Sequence, residues 1–135
     1  MYLLDTNTCI HLLNGSSDAV VDQMRSRPPS EVALCSIVKA ELLYGARHSD
    51  RVEENLGLLD QFFTPLASLA FDDRCAEEYG LVRAQLAVQG SLIGPNDLII
   101  ASIARAHDAT LVTNNVREFN RVAGLRLTDW EEERV

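Results

Sequence analysis

The chain predicts an α/β fold, a mostly parallel central sheet with helices on both faces, on three observations. Short apolar runs of strand length alternate with longer segments whose apolar residues recur at helical spacing. The first run, residues 2–4, ends on a carboxylate, Asp5, followed by the polar string Thr6-Asn7-Thr8. Two more carboxylates, Glu41 and Asp97, interrupt otherwise apolar helix faces far along the chain. Strands separated by helices pair in parallel and need covering on both sides. An acid just past a strand's C-terminal end lies where open α/β sheets bind ligands.

The elements follow in order. After the strand at 2–4, Cys9, Ile10, Leu12 and Leu13 predict a short helix broken at Asn14-Gly15. A second helix starts at Ser17 or Asp18, runs to about Arg25 and is stopped by Pro28-Pro29. Residues 31–36 (EVALCS) form the second strand, helices follow over 37–46 and 50–62, and Pro65 introduces a third strand at 66–71. Asp72 or Asp73 caps the next helix, in which Cys75, Tyr79, Val82 and Leu86 recur and which Gly90 closes. Gly94-Pro95 opens a helix through Ala106, with proline suited to a first turn. A strong strand at 109–113 (ATLVT) and a weak one at 125–127 complete the sheet. The run Glu131-Glu132-Glu133-Arg134 reads as a solvated tail, and the Ile99–Ala106 stripe as core or a dimer surface.

At 135 residues and 47% hydrophobic content, the expectation is a single domain over 1–135 with a real core. No window is long and uncharged enough to span a bilayer, and no secretion signal opens the chain. Cys9, Cys35 and Cys75 are widely spaced, with no CxxC pair and no zinc pattern, as in a reduced cytoplasmic protein. The net charge of −8, from 12 basic against 20 acidic residues, opposes simple phosphate-backbone binding. A nucleic-acid substrate therefore needs metal ions at the site and a local basic cluster; the alternative is attraction of a basic protein partner.

The acids carry the chemistry. Glu41 shares a helix face with Ile37, Val38 and Tyr44, and Asp97 with Ile100, Ala101 and Ala104. Each admits a plainer role: Asp5 as a turn residue capping a helix at Thr8 or Cys9, Asp97 as an N-cap, Glu41 as a rim acid. Three together in apolar settings call for a shared partner, because buried carboxylates are costly alone. Mg²⁺ and Mn²⁺ prefer oxygen ligands, and such a cluster suits metal-assisted phosphodiester cleavage. The turn after ATLVT adds Thr113, to hydrogen-bond a carboxylate, Asn115, to hold water or substrate, and Glu118, to supply another oxygen. Asn-Asn is also a good turn dipeptide in its own right.

The motifs LLDTN (3–7), KAELLYGARHS (39–49), IGPNDLIIASIARAHDATLVTNN (93–115) and REFNRVAGLRLTDW (117–130) together resemble the PIN-domain ribonucleases, specifically VapC-type toxins of type II toxin–antitoxin pairs. The resemblance spans nearly the whole chain. It implies a PIN-like three-layer α/β/α sandwich with an acidic pocket at one edge. It also implies Mg²⁺- or Mn²⁺-dependent cleavage of RNA, tRNA or rRNA, by a metal-activated water, leaving 5′-phosphate and 3′-hydroxyl ends. Asp5, Glu41 and Asp97 fall on the family's acidic positions, with Asp5 and Asp97 as direct metal ligands and Glu41 acting through water or orienting the nucleophile. The fourth position, often Asp, is matched by Asn115, which leaves the site one charge poorer. Implied partners are a second copy, as a homodimer, and a VapB-type antitoxin whose C-terminal segment covers the pocket, with no membrane.

Other residues read more simply. Lys39, Arg47 and His48 flank Glu41 and offer phosphate contacts or plain solvation; Tyr44 borders the pocket or, more simply, packs in the core, and Phe119 and Trp130 pack the last turn in preference to stacking on bases. His11, His48 and His107 are scattered, with no Ser or Cys arranged for a triad. Two other classes stay in view. An aspartyl-nucleophile phosphatase normally carries a second Asp two residues on, where this chain has Asn7. A non-catalytic PIN-like scaffold that only binds a partner has no need of three costly carboxylates.

Overall fold

The computed structural model describes residues 1–132. Five short strands, β1 (Tyr2–Leu4), β2 (Val32–Cys35), β3 (Ala67–Leu69), β4 (Thr110–Val112) and β5 (Arg126–Thr128), form one sheet in the order β3-β2-β1-β4-β5. Every pairing is parallel, with Leu3 opposite Ala33 on one side and Leu111 on the other. All four residues of β2 are buried, as a parallel strand covered on both faces requires. Chain order runs outward from β1 in one direction and then from β4 in the other. Right-handed crossovers therefore put α1–α4 on one face and α5–α6 on the opposite one. The switch point lies between the C-terminal ends of β1 and β4, where such sheets bind ligands.

The helices are α1 (Thr6–Asn14), α2 (Asp18–Arg25), α3 (Ser36–Arg47), α4 (Val52–Phe63), α5 (Asp73–Val88), α6 (Pro95–Ala106) and a single turn, α7 (Val116–Phe119). Helix α1 begins three residues earlier than its apolar spacing predicts. Asp5 is its N-cap, with Oδ1 accepting the Thr8 N–H at 2.8 Å, and Gly15 ends it in the left-handed conformation at φ 62°. Ser17 and Asp72 cap α2 and α5 in the same way, and Pro95 occupies the first turn of α6 behind Gly94. Helix α7 stands where the sequence predicts a turn; four residues are too few for periodicity to register.

The α6 stripe is core: Leu98, Ile100, Ala101, Ile103 and Ala104 are buried, and the helix packs on α5. Phe119 and Trp130 are buried as expected, but Tyr44 is not; it is 69% exposed. Its position on α3 lies off the buried row of Val38, Leu42 and Ala46, which takes the apolar contacts. The acidic run after Trp130 is not simply solvated either. Glu131 pairs with His11 Nε2 at 3.1 Å, while the Arg27 guanidinium lies 4.6 Å and 5.0 Å from the Tyr2 and Trp130 ring centroids. Glu133 and Arg134, from the same run, lie outside the described residues. The three cysteines are free and buried, and burial raises each thiol above its ordinary range, which suits inert packing. Among the described residues no helix is long and apolar enough to cross a membrane.

Candidate active site

A cavity of about 110 Å³ opens at the switch point, lined by Asp5, Thr6, Asn7, Glu41, Asp97, Asn115 and Phe119. Four elements deliver its polar groups. The end of β1 presents Asp5, 6% exposed, whose backbone N–H donates to the Val112 carbonyl of β4 at 3.1 Å. That bond ties the acid to the neighbouring strand, so its cap role and its place in the cavity coexist. Helix α3 supplies Glu41 and α6 supplies Asp97 at its third position, so Gly94 and not Asp97 is the N-cap. The turn after β4 supplies Asn115, the N-cap residue that precedes α7.

Hydrogen bonds divide these groups into held and available. Glu118 is engaged at both oxygens: Oε1 accepts the Gly94 N–H at 2.9 Å and Oε2 accepts from Asn115 Nδ2 at 2.8 Å. Those two donors hold its carboxyl below the usual range, so it stays ionised. It acts as a strut between α7 and the start of α6, with each oxygen already holding one donor. Asn115 is correspondingly turned towards Glu118. Thr113 does not bond a carboxylate; its Oγ1 accepts the Asn115 N–H at 3.0 Å and shapes the turn. Glu41 Oε1 accepts from Asn96 Nδ2 at 3.4 Å.

Charge is the dominant property of the cavity. Among the described residues, none of Asp5, Glu41, Asp97 and Glu118 takes part in an ion pair, and no basic residue lines the wall. Burial, followed by the Glu118, Asp5 and Glu41 charges, pushes Asp97 up to about 6. The Thr6 hydroxyl is sealed from solvent with no hydrogen-bond partner among the described residues. Uncompensated carboxylates, an orphaned hydroxyl and all-oxygen donors fit a hard divalent cation in chemistry and charge. No group of three His, Cys, Asp or Glu is already gathered around one point among the described residues. Mg²⁺ does not demand that, since it binds through one or two carboxylates plus water and substrate phosphate.

Sequence reading singled out Asp5, Glu41, Asp97 and Asn115, and the fold brings all four to one cavity. Two wall residues, Thr6 and Asn7, carry no site signal of their own in the sequence, and neither does Asn96, which donates to Glu41. Their only mark is nearness to Asp5 and Asp97. A second cavity, about 240 Å³ and mostly apolar, runs between α1, α3 and α4 past Ile10, Leu13, Leu42 and Leu58. Thr6 and Glu41 line both cavities, so the two meet at the acids.

Comparison with known proteins agrees with this arrangement. The PIN domain family model matches residues 2–125. Ribonuclease VapC2 of Rickettsia felis is 41% identical over 133 residues, covering 98% of this chain and 99% of the relative. A tRNA(fMet)-specific endonuclease VapC of Salmonella typhimurium is 37% identical, covering 96% and 97%. The crystal structure of VapBC2 from Rickettsia felis bound to a DNA fragment from their promoter contains a chain that superposes with a TM-score of 0.88. That chain is 40% identical, with 96% of this chain and 98% of the other covered. The chain belongs to the PIN-domain family, among its VapC proteins.

Proposed function

We propose that this chain is a divalent-metal-dependent endoribonuclease, the toxin of a VapBC-type pair acting in the cytoplasm. The observation that carries the reading is the cavity in which Asp5, Glu41 and Asp97 converge with no basic side chain among the described residues on its wall. The names of the relatives, a ribonuclease and a tRNA-specific endonuclease, support RNA as the substrate and tRNA as the first candidate. The phosphatase and scaffold readings have no comparable support. Mapping the 5′ ends of RNAs that appear on brief induction is the test. Discrete new ends bearing 5′-phosphate are expected, and an unchanged end profile under growth arrest would refute RNA cleavage.

Asp5 and Asp97 are the residues that would hold Mg²⁺ or Mn²⁺, which when bound supplies phosphate charge neutralisation and activates water. The chain's own contributions are orientation and proton handling. Asp5 is locked by the Thr8 N–H at Oδ1, which leaves Oδ2 for the site. Glu41 Oε2, the oxygen not engaged by Asn96, is the proposed acceptor of the attacking water's proton. Asn115 and Glu118 brace the α6 start that carries Asp97. In-line attack would break the P–O3′ bond, leaving a 5′-phosphate on one fragment, while the departing 3′-oxygen takes a proton from solvent to become the 3′-hydroxyl. With Asn115 in place of a fourth acid, one ion is the proposed complement.

The apolar groove that meets the acids fits a VapB-type segment covering the pocket, and solved relatives are VapBC complexes. A basic side chain entering from that segment would satisfy the carboxylates the fold leaves unpaired. Self-association as a homodimer is proposed through exposed apolar residues such as Leu81 and Val88, which share a face of α5.

A further inference from the structure

The face of α3 that carries Glu41 continues past the acidic cavity as Tyr44 and His48, three and seven residues on. Positions at i, i+3 and i+7 share one helix face, so the two rings lie roughly 5 to 10 Å beyond Glu41 along the axis. Tyr44 is 69% exposed and His48 is exposed as well. Their rings stack on each other, with centroids 5.6 Å apart and planes 12° from parallel. Arg47, one turn from Tyr44, is exposed and has no ion-pair partner among the described residues. The other nearby cations are occupied: the Lys39 ammonium sits 4.8 Å from the Phe63 ring centroid, and Arg51 pairs with Glu54 at 3.4 Å.

A large aromatic held out in solvent and already ordered against a second ring does not serve the core. It offers a flat surface at low ordering cost. In a chain of net charge −8, backbone phosphates meet few cations, so an acidic nuclease needs a binding term that does not depend on counterion release. Base stacking on an aromatic face is that term, and it works on unpaired bases. We infer that Tyr44 and His48 form a base-stacking subsite, with Arg47 on the adjoining phosphate, for a single-stranded or loop nucleotide next to the scissile bond. This rests on the ribonuclease reading of the acidic cavity and narrows it to RNA with an unstacked base at the cut.

The test uses the full chain in EDTA, so that nothing is cleaved, with an RNA hairpin carrying 2-aminopurine in its loop. Binding is read by quenching of that base, and oligomeric state by sedimentation. Wild-type protein is expected to quench. Tyr44→Ala should bind about tenfold more weakly while Tyr44→Phe stays within about twofold. Arg47→Ala should lower the slope of log affinity against log salt by about 1, and Tyr44→Ala should leave that slope unchanged. Equal binding by Tyr44→Ala would overturn the inference. So would equal affinity for a fully paired duplex, or a Tyr44→Ala loss that vanishes once proteins of the same oligomeric state are compared, since the rings then serve self-association. Cleavage with Mg²⁺ is scored separately. A wild-type chain that cuts no RNA fails the ribonuclease reading, whereas a cutting chain indifferent to Tyr44→Ala fails the stacking subsite alone.

Discussion

At the scale of single residues, the site is a balance of repulsions that the fold tolerates. Asp97 carries most of it: burial and three neighbouring acids raise its carboxyl from the ordinary aspartate range to about 6. A folded pKa above the unfolded one means the folded state binds the proton more tightly. Metal-free stability should therefore fall as pH rises from about 4 to about 6. Replacing Asp97 by Asn should raise the melting temperature in EDTA at pH 7.5 by about 3 °C, near 1 kcal/mol after discounting for solvent screening of a partly buried group. The same change should abolish the stabilisation that Mn²⁺ gives the wild type. Asn115→Asp is the converse case. It replaces the donor to Glu118 by a like charge, so roughly 1 kcal/mol should be lost without metal, while calorimetric titration should show tighter Mn²⁺ binding. A melting temperature unchanged by Asn115→Asp would mean that the Asn115–Glu118 contact does not brace the site.

At the scale of elements, strands and long helices were legible because their apolar period is unambiguous. All five strands lie within a residue or two of the expected positions, and Ser17, Asp72 and Pro95 mark helix starts as their chemistry demands. The failures share a cause. Helix α1 was placed late because its first turn, Thr6-Asn7-Thr8, is polar and faces the cavity and the β4 backbone, where Thr8 Oγ1 donates to the Val112 carbonyl at 3.2 Å. The i+3 spacing of Tyr44 from Glu41 predicts an inward ring, but Val38, Leu42 and Ala46 fill that side. The run from Glu131 reads as tail because its partner, His11, lies more than a hundred positions away, whereas Trp130 packs as expected, beside Tyr2 and Arg27. That segment is a clasp. Trp130→Ala should cost about 3–5 kcal/mol in chemical denaturation, as for other buried aromatics, and a loss below about 1 kcal/mol would show the clasp to be ornamental.

At the scale of the whole molecule, the sheet order explains why residues 5, 41, 97 and 115 meet. β1 and β4 are neighbours on either side of the switch point, and the helices that follow β2 and precede β4 both direct a carboxylate there. The three acids are legible in the sequence because Asp5 ends an apolar strand run and Glu41 and Asp97 interrupt apolar helix faces. The sequence could not reveal that Glu118 is held by Gly94 and Asn115, since that depends on a contact across 24 residues. Nor could it reveal that the cavity joins an apolar groove through Thr6 and Glu41. The central claim is that this convergence makes a metal-dependent ribonuclease. Its most direct measurement is RNA cleavage by wild type, Asp5→Asn and Asp97→Asn, each with Mg²⁺ and with EDTA, with folding checked by circular dichroism. The account predicts cutting by wild type with Mg²⁺ only, and a loss of about a hundredfold or more in either variant. Wild-type rates in EDTA, or in a folded Asp5→Asn or Asp97→Asn chain, would contradict it.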